Sequence, residues 1–126
     1  MTEYRSATRF TLRTACTNEA HRANIQHLVK GWTRGATITY GEGLWTDNDG
    51  RNWAEPCAII EIISFKVEEA FKLLPDQVHR IATYNTGGTR LGIAEECIAS
   101  LATAINDANE QTCTLVERSE TTATFI

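Results

Sequence analysis

The stretch Thr83–Arg90, Thr-Tyr-Asn-Thr-Gly-Gly-Thr-Arg, holds side chains well suited to binding a small anion. Two adjacent glycines free backbone N–H groups, and the helix predicted to follow offers its positive amino end. Arg90 can add a bidentate contact to a phosphate. Tyr84 and Asn85 can stack on a base and hydrogen-bond its edge; the alternative is a tyrosine covering the core and an asparagine in a turn. We interpret this stretch as an exposed loop with candidate ligand-binding residues.

Further candidate binding residues are dispersed over the chain, although most arginines are solvated surface groups: Arg13, Arg22, Arg51 and Arg118. Arg118, in the predicted last strand and beyond a helix end, is the arginine most readily turned toward an anion. Trp45 and Trp53 bracket a predicted hairpin turn, and they either pair across the strands or form an aromatic wall of a pocket. The predicted ligand-binding set is Tyr84, Asn85, Arg90, Arg118, Arg22 and Trp45.

The sequence contains no recognisable catalytic or metal-binding pattern. His21 and His27 are six residues apart, about 240° around a helix, so they do not share a metal. The cysteines lack a Cys-x-x-Cys pair, which argues against a zinc site or disulfide framework and predicts buried free thiols: Cys16, Cys57, Cys97 and Cys113. Two glutamate pairs fall in predicted first helical turns, where they favour the positive helix end: Glu68-Glu69 and Glu95-Glu96. We expect no enzyme activity, no metal and no cofactor.

The elements that position these residues begin with a strand and a helix. Residues 7–15 alternate with period two, which predicts a half-buried strand with a polar outer face. The segment Thr17-Asn18-Glu19 is a plausible helix cap, and a helix is predicted from there to about Trp32. Its apolar residues recur at roughly helical spacing and are expected to cover one side of a sheet: Ala20, Ile25, Leu28, Val29 and Trp32.

A hairpin is predicted next, with strands at about 36–45 and 58–65 around the turn 46–52, which is rich in Asn, Asp and Gly. Gly41 and Gly43 predict a bulge or a close backbone approach in the first strand. The turn carries two carboxylates, for which a weak cation contact is the alternative to a turn role: Asp47 and Asp49.

The second half predicts an interrupted helix, another helix and a last strand. The helix after Lys66 is expected to end or bend at Pro75. A clear amphipathic helix is predicted from about Leu91 to Ala108, with apolar residues four apart: Ile93, Cys97, Leu101 and Ile105. The last strand is expected to start near Thr112, with a break at Ser119-Glu120.

This order of elements predicts one α+β domain over residues 1–126. Two right-handed split β-α-β units give a ferredoxin-like βαββαβ fold, an antiparallel sheet with helices packed on one face. The carboxy-terminal Thr-Ala-Thr-Phe-Ile alternates and ends apolar, which fits a strand extension that reaches a partner. Because a bare sheet face or edge is commonly covered by a second copy, we expect a homo-oligomer.

Composition narrows the class of protein. A chain of 126 residues with 42% hydrophobic and 22% charged residues is typical of a soluble globular domain. No apolar run is long enough to cross a bilayer, and the start lacks a secretion signal, so a cytoplasmic protein without a membrane partner is expected. The net charge of −4 does not favour binding to a nucleic-acid polymer.

Four segments of the chain, in their sequence and order, are similar to those of one protein family: Ala36–Trp45, Glu55–Ile63, Ala108–Val116 and Ala123–Ile126. In these segments the chain resembles the phage-encoded Thoeris anti-defence sponges, small proteins that sequester cyclic ADP-ribose signals made by bacterial TIR-domain enzymes. The resemblance implies an oligomer with pockets at protomer boundaries and tight binding without turnover. It also implies that an aromatic side chain stacks on adenine and that arginine and asparagine side chains contact the phosphates and the ribose. Residues that match by chemical type are Tyr84, Asn85, Arg90 and Arg118.

These observations lead to one expected function and two alternatives. The expected function is a non-catalytic sponge for a cyclic ADP-ribose isomer or a cyclic oligonucleotide, acting in phage counter-defence in the host cytoplasm. The first alternative is a ferredoxin-like dimeric enzyme for a small organic substrate, with an apolar cavity lined by Tyr40, Trp45 or His79. The second is an inhibitor that acts through a protein surface. A polar pocket between subunits would favour the sponge.

Overall fold

The structure, a computed structural model, describes residues 4–33, 35–65 and 95–124. The interrupted helix predicted after Lys66 and the loop predicted at Thr83–Arg90 lie outside these residues. Within them the chain forms four strands and two helices: β1 (Arg5–Ala15), α1 (Glu19–Trp32), β2 (Thr37–Thr46), β3 (Asn52–Phe65), α2 (Glu95–Asn109) and β4 (Leu115–Ala123).

The four strands form one antiparallel sheet in the order β2-β3-β1-β4. β1 pairs with β3 from Ala7↔Phe65 to Ala15↔Cys57, and with β4 on its other side. β2 and β4 are therefore the edge strands of the sheet that the described residues form. The predicted α+β class, with an antiparallel sheet, is confirmed.

The sheet has a helix-side face that holds the core and an outer face that points away from it. The even-numbered residues of β1 from Thr8 to Thr14 are buried on the helix-side face, whereas Arg9 and Arg13 point outward and are exposed. The predicted alternation of this strand is therefore confirmed. The helices bury their apolar stripes against the sheet in one cluster: Phe10, Leu12, Ile25, Val29, Ala58, Ile60, Ile62, Ile98, Leu101 and Ile105. Burying each large aliphatic side chain contributes about 1.5–3 kcal/mol.

Helix α1 begins where the sequence predicts. The Oδ1 of Asn18 accepts a hydrogen bond from the backbone N–H of His21 at 2.9 Å, and Glu19 lies in the first turn, where a negative charge is favourable. Ile25 and Val29 are buried as expected. Ala20 is exposed, so its assignment to the core stripe was wrong. Ala20 precedes Ile25 by five residues, which places it about 140° away around the helix.

The predicted hairpin between β2 and β3 is confirmed, but the bulge is not. Pairing is continuous from Thr37↔Glu61 to Thr46↔Asn52, so Gly41 and Gly43 lie in regular ladder positions. A Cβ on Gly43 would meet its nearest neighbour at 3.6 Å, which is ordinary contact, and one on Gly41 would meet nothing within 4 Å. These glycines do not mark a backbone distortion.

Strand β3 is longer than predicted, because it starts at Asn52 rather than near Ala58 and contains Pro56. The carbonyl of Pro56 accepts a hydrogen bond from the N–H of Cys16 at 2.9 Å, beyond the last pair of β1 and β3. The missing N–H of proline therefore falls where the β1 ladder ends, a position at which proline is tolerated. Residues 43–55 continue past this point as a two-stranded ribbon, which we call the hairpin arm.

Strand β4 starts at Leu115 rather than near Thr112, and the break predicted at Ser119-Glu120 is absent. Its pairing with β1 is continuous from Arg13↔Leu115 to Arg5↔Ala123. The chain leaves α2 through Glu110, whose φ of 54° lies in the left-handed region, and the N–H of Gln111 donates to the carbonyl of Asn106. Residues 112–114 connect this helix-end turn to β4, so the strand begins later than predicted.

The cysteines are free, as predicted, but they are not all buried. Cys16 is buried, Cys57 and Cys97 are half-buried, and Cys113 is exposed. Cys113 precedes β4 in the connection from α2, where the sheet offers no cover. Within the described residues, neither helix is long and apolar enough to cross a membrane.

Candidate functional site

One polar cluster joins α1 to the edge strand β2, and we call its residues Arg22, Gln26 and Tyr40 the Arg22–Tyr40 cluster. The Cζ of Arg22 lies 4.1 Å from the centroid of the Tyr40 ring. The Nε2 of Gln26 donates to the hydroxyl of Tyr40 at 3.2 Å. Arg22 and Gln26 are four residues apart and share a helix face, which is why both reach the same side chain. Tyr40 is 37% exposed, so the cluster is accessible to a ligand.

The fold positions these residues through two separate devices. The Asn18 cap fixes the first turn of α1, in which the imidazole Nδ1 of His21 also accepts from the N–H of Thr17 at 3.2 Å. On β2, Tyr40 lies opposite Ala58 of β3, on the same face as the core residues of that strand. The small side chain of Ala58 leaves room beside the tyrosine. The helix thus meets the edge strand with an arginine over an aromatic ring.

Arg22 differs from most described arginines in its electrostatic surroundings. Four others form ion pairs with carboxylates: Arg9 with Glu61, Arg13 with Glu117, Arg51 with Asp49, and Arg118 with Glu120. Among the described residues, no carboxylate forms an ion pair with Arg22. A guanidinium over an aromatic face is held by the ring quadrupole, and its N–H groups point along its edges toward any incoming acceptor.

The charge of Arg22 also affects the pKa of the buried Cys16 thiol. Burial raises the pKa of the Cys16 thiol, and the Arg22 guanidinium acts in the opposite direction. The thiol therefore remains protonated near neutral pH, where a protonated cysteine is a weak nucleophile. Cys16 is part of the hydrophobic core.

Trp45 belongs to a different part of the molecule, the hairpin arm. It is directly opposite Trp53, and the two indole rings stack with centroids 5.7 Å apart and an interplanar angle of 15°. The cross-strand pair, one of the two interpretations of the sequence, is therefore present. Both rings remain about half exposed, and Leu44 on the opposite side of the arm is 76% exposed.

The turn of the arm is organised by Asp47. Its Oδ1 accepts hydrogen bonds from the backbone N–H groups of Asp49 and Arg51, and its Oδ2 accepts one from the indole N–H of Trp53, all at 2.9 Å. Gly50 has a φ of 78°, a conformation suited to glycine. The donation from Trp53, followed by that from Arg51, lowers the pKa of Asp47 below its ordinary value. The turn role predicted for Asp47 thus accounts for both carboxylate oxygens.

Arg118 lies on β4, at the other edge of the sheet. Its Nη2 is 3.0 Å from Oε1 of Glu120, and the same oxygen accepts a hydrogen bond from the hydroxyl of Thr8 at 3.4 Å. Three of the six predicted binding residues lie outside the described part of the chain: Tyr84, Asn85 and Arg90. The other three are not brought together, because Arg22 is on the helix side near β2, Trp45 is on the outer face of the arm, and Arg118 is at the opposite edge.

A separate groove of about 270 Å³ opens at the end of the sheet opposite the arm. Glu61, Ile63 and Phe65 of β3 contribute to its lining. The other lining residues lie at or next to the start of β2 and the end of β4: Gly35, Ala36, Thr37, Ala123 and Thr124. Glu61 is the one ionisable side chain among the described lining residues, and its Oε1 is 3.8 Å from the Nε of Arg9. Among the described residues, no group of three or more His, Cys, Asp or Glu side chains is arranged to hold a metal ion.

Sequence reasoning identified Arg22 but missed its partners. Tyr40 was named as a lining residue of the alternative enzyme's cavity, and Gln26 was not singled out. The available signal was the four-residue spacing of Arg22 and Gln26, which places two hydrogen-bonding side chains on one helix face. Comparison of the chain with protein-family models and with curated proteins gave no match.

Proposed function

We propose that this chain is a non-catalytic binding protein that sequesters a nucleotide signal of the cyclic ADP-ribose type. The observation that carries the proposal is Arg22, held over the ring of Tyr40 and without a carboxylate ion-pair partner among the described residues. A phosphate accepts hydrogen bonds in the plane of a guanidinium, which stacking on a ring leaves accessible. The resemblance to Thoeris anti-defence sponges supports the same ligand class, and with it phage counter-defence in the host cytoplasm.

The polar character of the cluster favours binding over the alternative enzyme. An apolar cavity lined by Tyr40, Trp45 or His79 would favour that alternative. Tyr40 instead contacts Arg22 and Gln26, and Trp45 is stacked on Trp53 in the arm. His79 is outside the described residues. We therefore assign Tyr40 and Arg22 to ligand recognition and retain Tyr84, Asn85, Arg90, Arg118 and Trp45 as further proposed contacts.

The proposal includes a ferredoxin-like arrangement of one domain, assembled as a homo-oligomer. The ferredoxin-like arrangement is supported by the strand order β2-β3-β1-β4. In this order β3 lies between β1 and β2, and β1 lies between β3 and β4. Two split β-α-β units produce this order. In such an oligomer, residues at the sheet edges come close to neighbouring copies, which fits pockets at protomer boundaries.

The hairpin arm favours a second candidate, an inhibitor acting through a protein surface. Leu44 is 76% exposed and the two tryptophans are about half exposed, all on a ribbon that extends past the end of β1. Exposed aromatic and aliphatic side chains on the two faces of one protruding ribbon are the kind of surface that protein partners cover. This candidate predicts that the chain binds a protein partner in the absence of any nucleotide.

The test is thermal stabilisation of the full chain against cyclic ADP-ribose isomers and cyclic di- and trinucleotides. A ligand at about a thousand times its Kd adds roughly 4 kcal/mol to the stability of the folded state. Arg22→Gln is expected to weaken binding about tenfold to a hundredfold, because it removes a charge-assisted contact worth about 1.5–3 kcal/mol. Arg51→Gln, at the turn of the arm, is the matched control and is expected to bind like the unmodified chain.

The outcomes separate the candidates. A shift that Arg22→Gln reduces and Arg51→Gln retains supports the proposed site. Equal losses in both variants contradict the role of Arg22. The absence of any shift across the panel contradicts the nucleotide proposal and favours the protein-surface inhibitor.

A further inference from the structure

The edge strand β4 has features expected of a strand that pairs with another chain. Among the described strands it lies at one end of the sheet, and residues 115 to 120 are all exposed. Its nine residues pair with β1 without a bulge, and none is proline. An edge of this length exposes a row of backbone groups that can pair with a further strand.

The charges of β4 are self-complementary in one register. When two copies pair about a two-fold axis perpendicular to the sheet, the strands run antiparallel and one residue lies opposite its own copy. With Ser119 at the axis, Arg118 lies opposite the partner's Glu120, and Glu120 lies opposite the partner's Arg118. Ser119 is also the midpoint of Leu115–Ala123, so this register pairs all nine residues.

The neighbouring registers place like charges opposite each other. An axis at Arg118 opposes two arginines, and an axis at Glu117 or at Glu120 opposes two glutamates. Like charges directly opposite across a strand pair are destabilising, whereas opposite charges stabilise it. The strand therefore specifies the register centred on Ser119.

The other edge strand lacks this property. Strand β2 carries a single charged residue, Glu42, and contains Gly41 and Gly43, which weaken a strand. In the Ser119 register, by contrast, the 57% exposed Leu115 comes opposite the partner's Ala123, and Val116 comes opposite the partner's Thr122. Pairing through β4 thus gives cover to two exposed apolar side chains.

We propose that β4 is a homodimer interface, in which two copies pair antiparallel about Ser119 and join their sheets into one of eight strands. The proposed partner is a second copy of this chain, recognised by the alternating charges of Arg118 and Glu120. This interface stands apart from the Arg22–Tyr40 cluster and does not depend on a nucleotide.

Sedimentation velocity on the full chain over a concentration series tests the interface. The unmodified chain is expected to dimerise, and Arg118→Glu or Glu120→Arg alone is expected to raise the dimer Kd by about tenfold or more, because each places like charges opposite. The double variant R118E/E120R exchanges the charges and restores opposite pairs, so its Kd is expected to return close to that of the unmodified chain. Glu42→Arg, a charge reversal on the other edge, is the matched control and is expected to leave the Kd unchanged.

A second readout does not depend on whether the variants fold. In the unmodified chain, hydrogen exchange at the β4 amides is expected to slow as concentration rises through the dimer Kd, while exchange in β2 stays constant. A monomeric unmodified chain overturns the proposal and indicates that the charges protect the edge from pairing. Failure of R118E/E120R to restore the dimer, with its fold intact by circular dichroism, also overturns it, as does dissociation by Glu42→Arg.

Discussion

At the residue scale, the Arg22–Tyr40 cluster shows how far a single side chain could be interpreted from the sequence. Arg22 was a candidate because arginine binds phosphates, but nothing in its local sequence distinguishes it from Arg13 or Arg51. The three arginines differ in the side chains that they contact. Arg13 and Arg51 form ion pairs with carboxylates, whereas Arg22 lies over the ring of a tyrosine. That contact joins residues 18 positions apart and depends on which helix face meets which strand.

Thr14 is a buried residue whose polar group has no hydrogen-bond partner among the described residues. It is 3% exposed on the helix-side face of β1. A buried hydroxyl without a partner costs free energy that an apolar group of the same shape does not. We predict that Thr14→Val raises the free energy of unfolding by about 1 kcal/mol, measured by urea denaturation.

Thr8 provides the matched control for this substitution. It is also buried on β1, but its hydroxyl donates to Glu120 at 3.4 Å. Thr8→Val therefore removes a hydrogen bond and is expected to give no gain in stability. A loss of stability in Thr14→Val would show that the hydroxyl of Thr14 is satisfied after all.

At the element scale, the end of α2 stores strain at one residue. Glu110 has a φ of 54°, in a region where a Cβ costs about 1–2 kcal/mol, and glycine is the usual residue at this position of a helix-end turn. We predict that Glu110→Gly raises the free energy of unfolding by about 1 kcal/mol, measured by thermal or urea denaturation. Glu110→Ala keeps the Cβ and is expected to show no such gain; equal effects of the two substitutions would contradict the argument.

The hairpin arm is expected to loosen in acid because of Asp47. Hydrogen bonds, first from the indole of Trp53, hold the folded-state pKa of Asp47 below its ordinary value of 3.8. The stability that its carboxylate contributes is thus present above the unfolded pKa and is lost as pH falls through the folded pKa. We predict that the circular dichroism couplet of the stacked Trp45 and Trp53 is constant from pH 7 to about pH 4 and weakens below it.

Two variants separate Asp47 from the other carboxylate of the turn. Asp47→Asn is expected to weaken the couplet at pH 7 and to remove most of its acid dependence. Asp49→Asn, which changes a carboxylate that is 3.9 Å from Arg51, is expected to keep the pH dependence of the unmodified chain. An Asp47→Asn variant with the original acid transition would assign that transition to another group.

The elements also show where local sequence patterns succeed and where they fail. Strand β1 and helix α1 follow from periodicity and capping, because both signals are carried by neighbouring residues. The start of β3 was predicted too late in the chain, because proline is normally excluded from the middle of a strand. Pro56 is tolerated within β3 because its missing N–H falls where the pairing of β3 with β1 ends. The break predicted in β4 failed for a related reason, because β1 pairs with that strand along its whole length.

At the scale of the whole molecule, the α+β class followed from the order of the elements, but the arrangement of side chains between elements did not. Arg22, Trp45 and Arg118 were grouped by chemical type, and the fold distributes them over the helix side, the arm and the far edge. Such separation depends on strand order, which is a long-range property. The proposed β4 dimer operates at this scale and would bring two copies of Arg118 to one subunit boundary.

Equilibrium dialysis of the full chain against cyclic ADP-ribose isomers, followed by chromatography of the nucleotide released on heating, tests directly whether the protein sequesters such a nucleotide without changing it. We predict that an isomer is retained in proportion to the protein, that Arg22→Gln retains less of it, and that the released nucleotide is unchanged. A nucleotide converted to product would identify an enzyme and contradict the proposed sponge. No retention of any isomer would contradict the assignment of this ligand class.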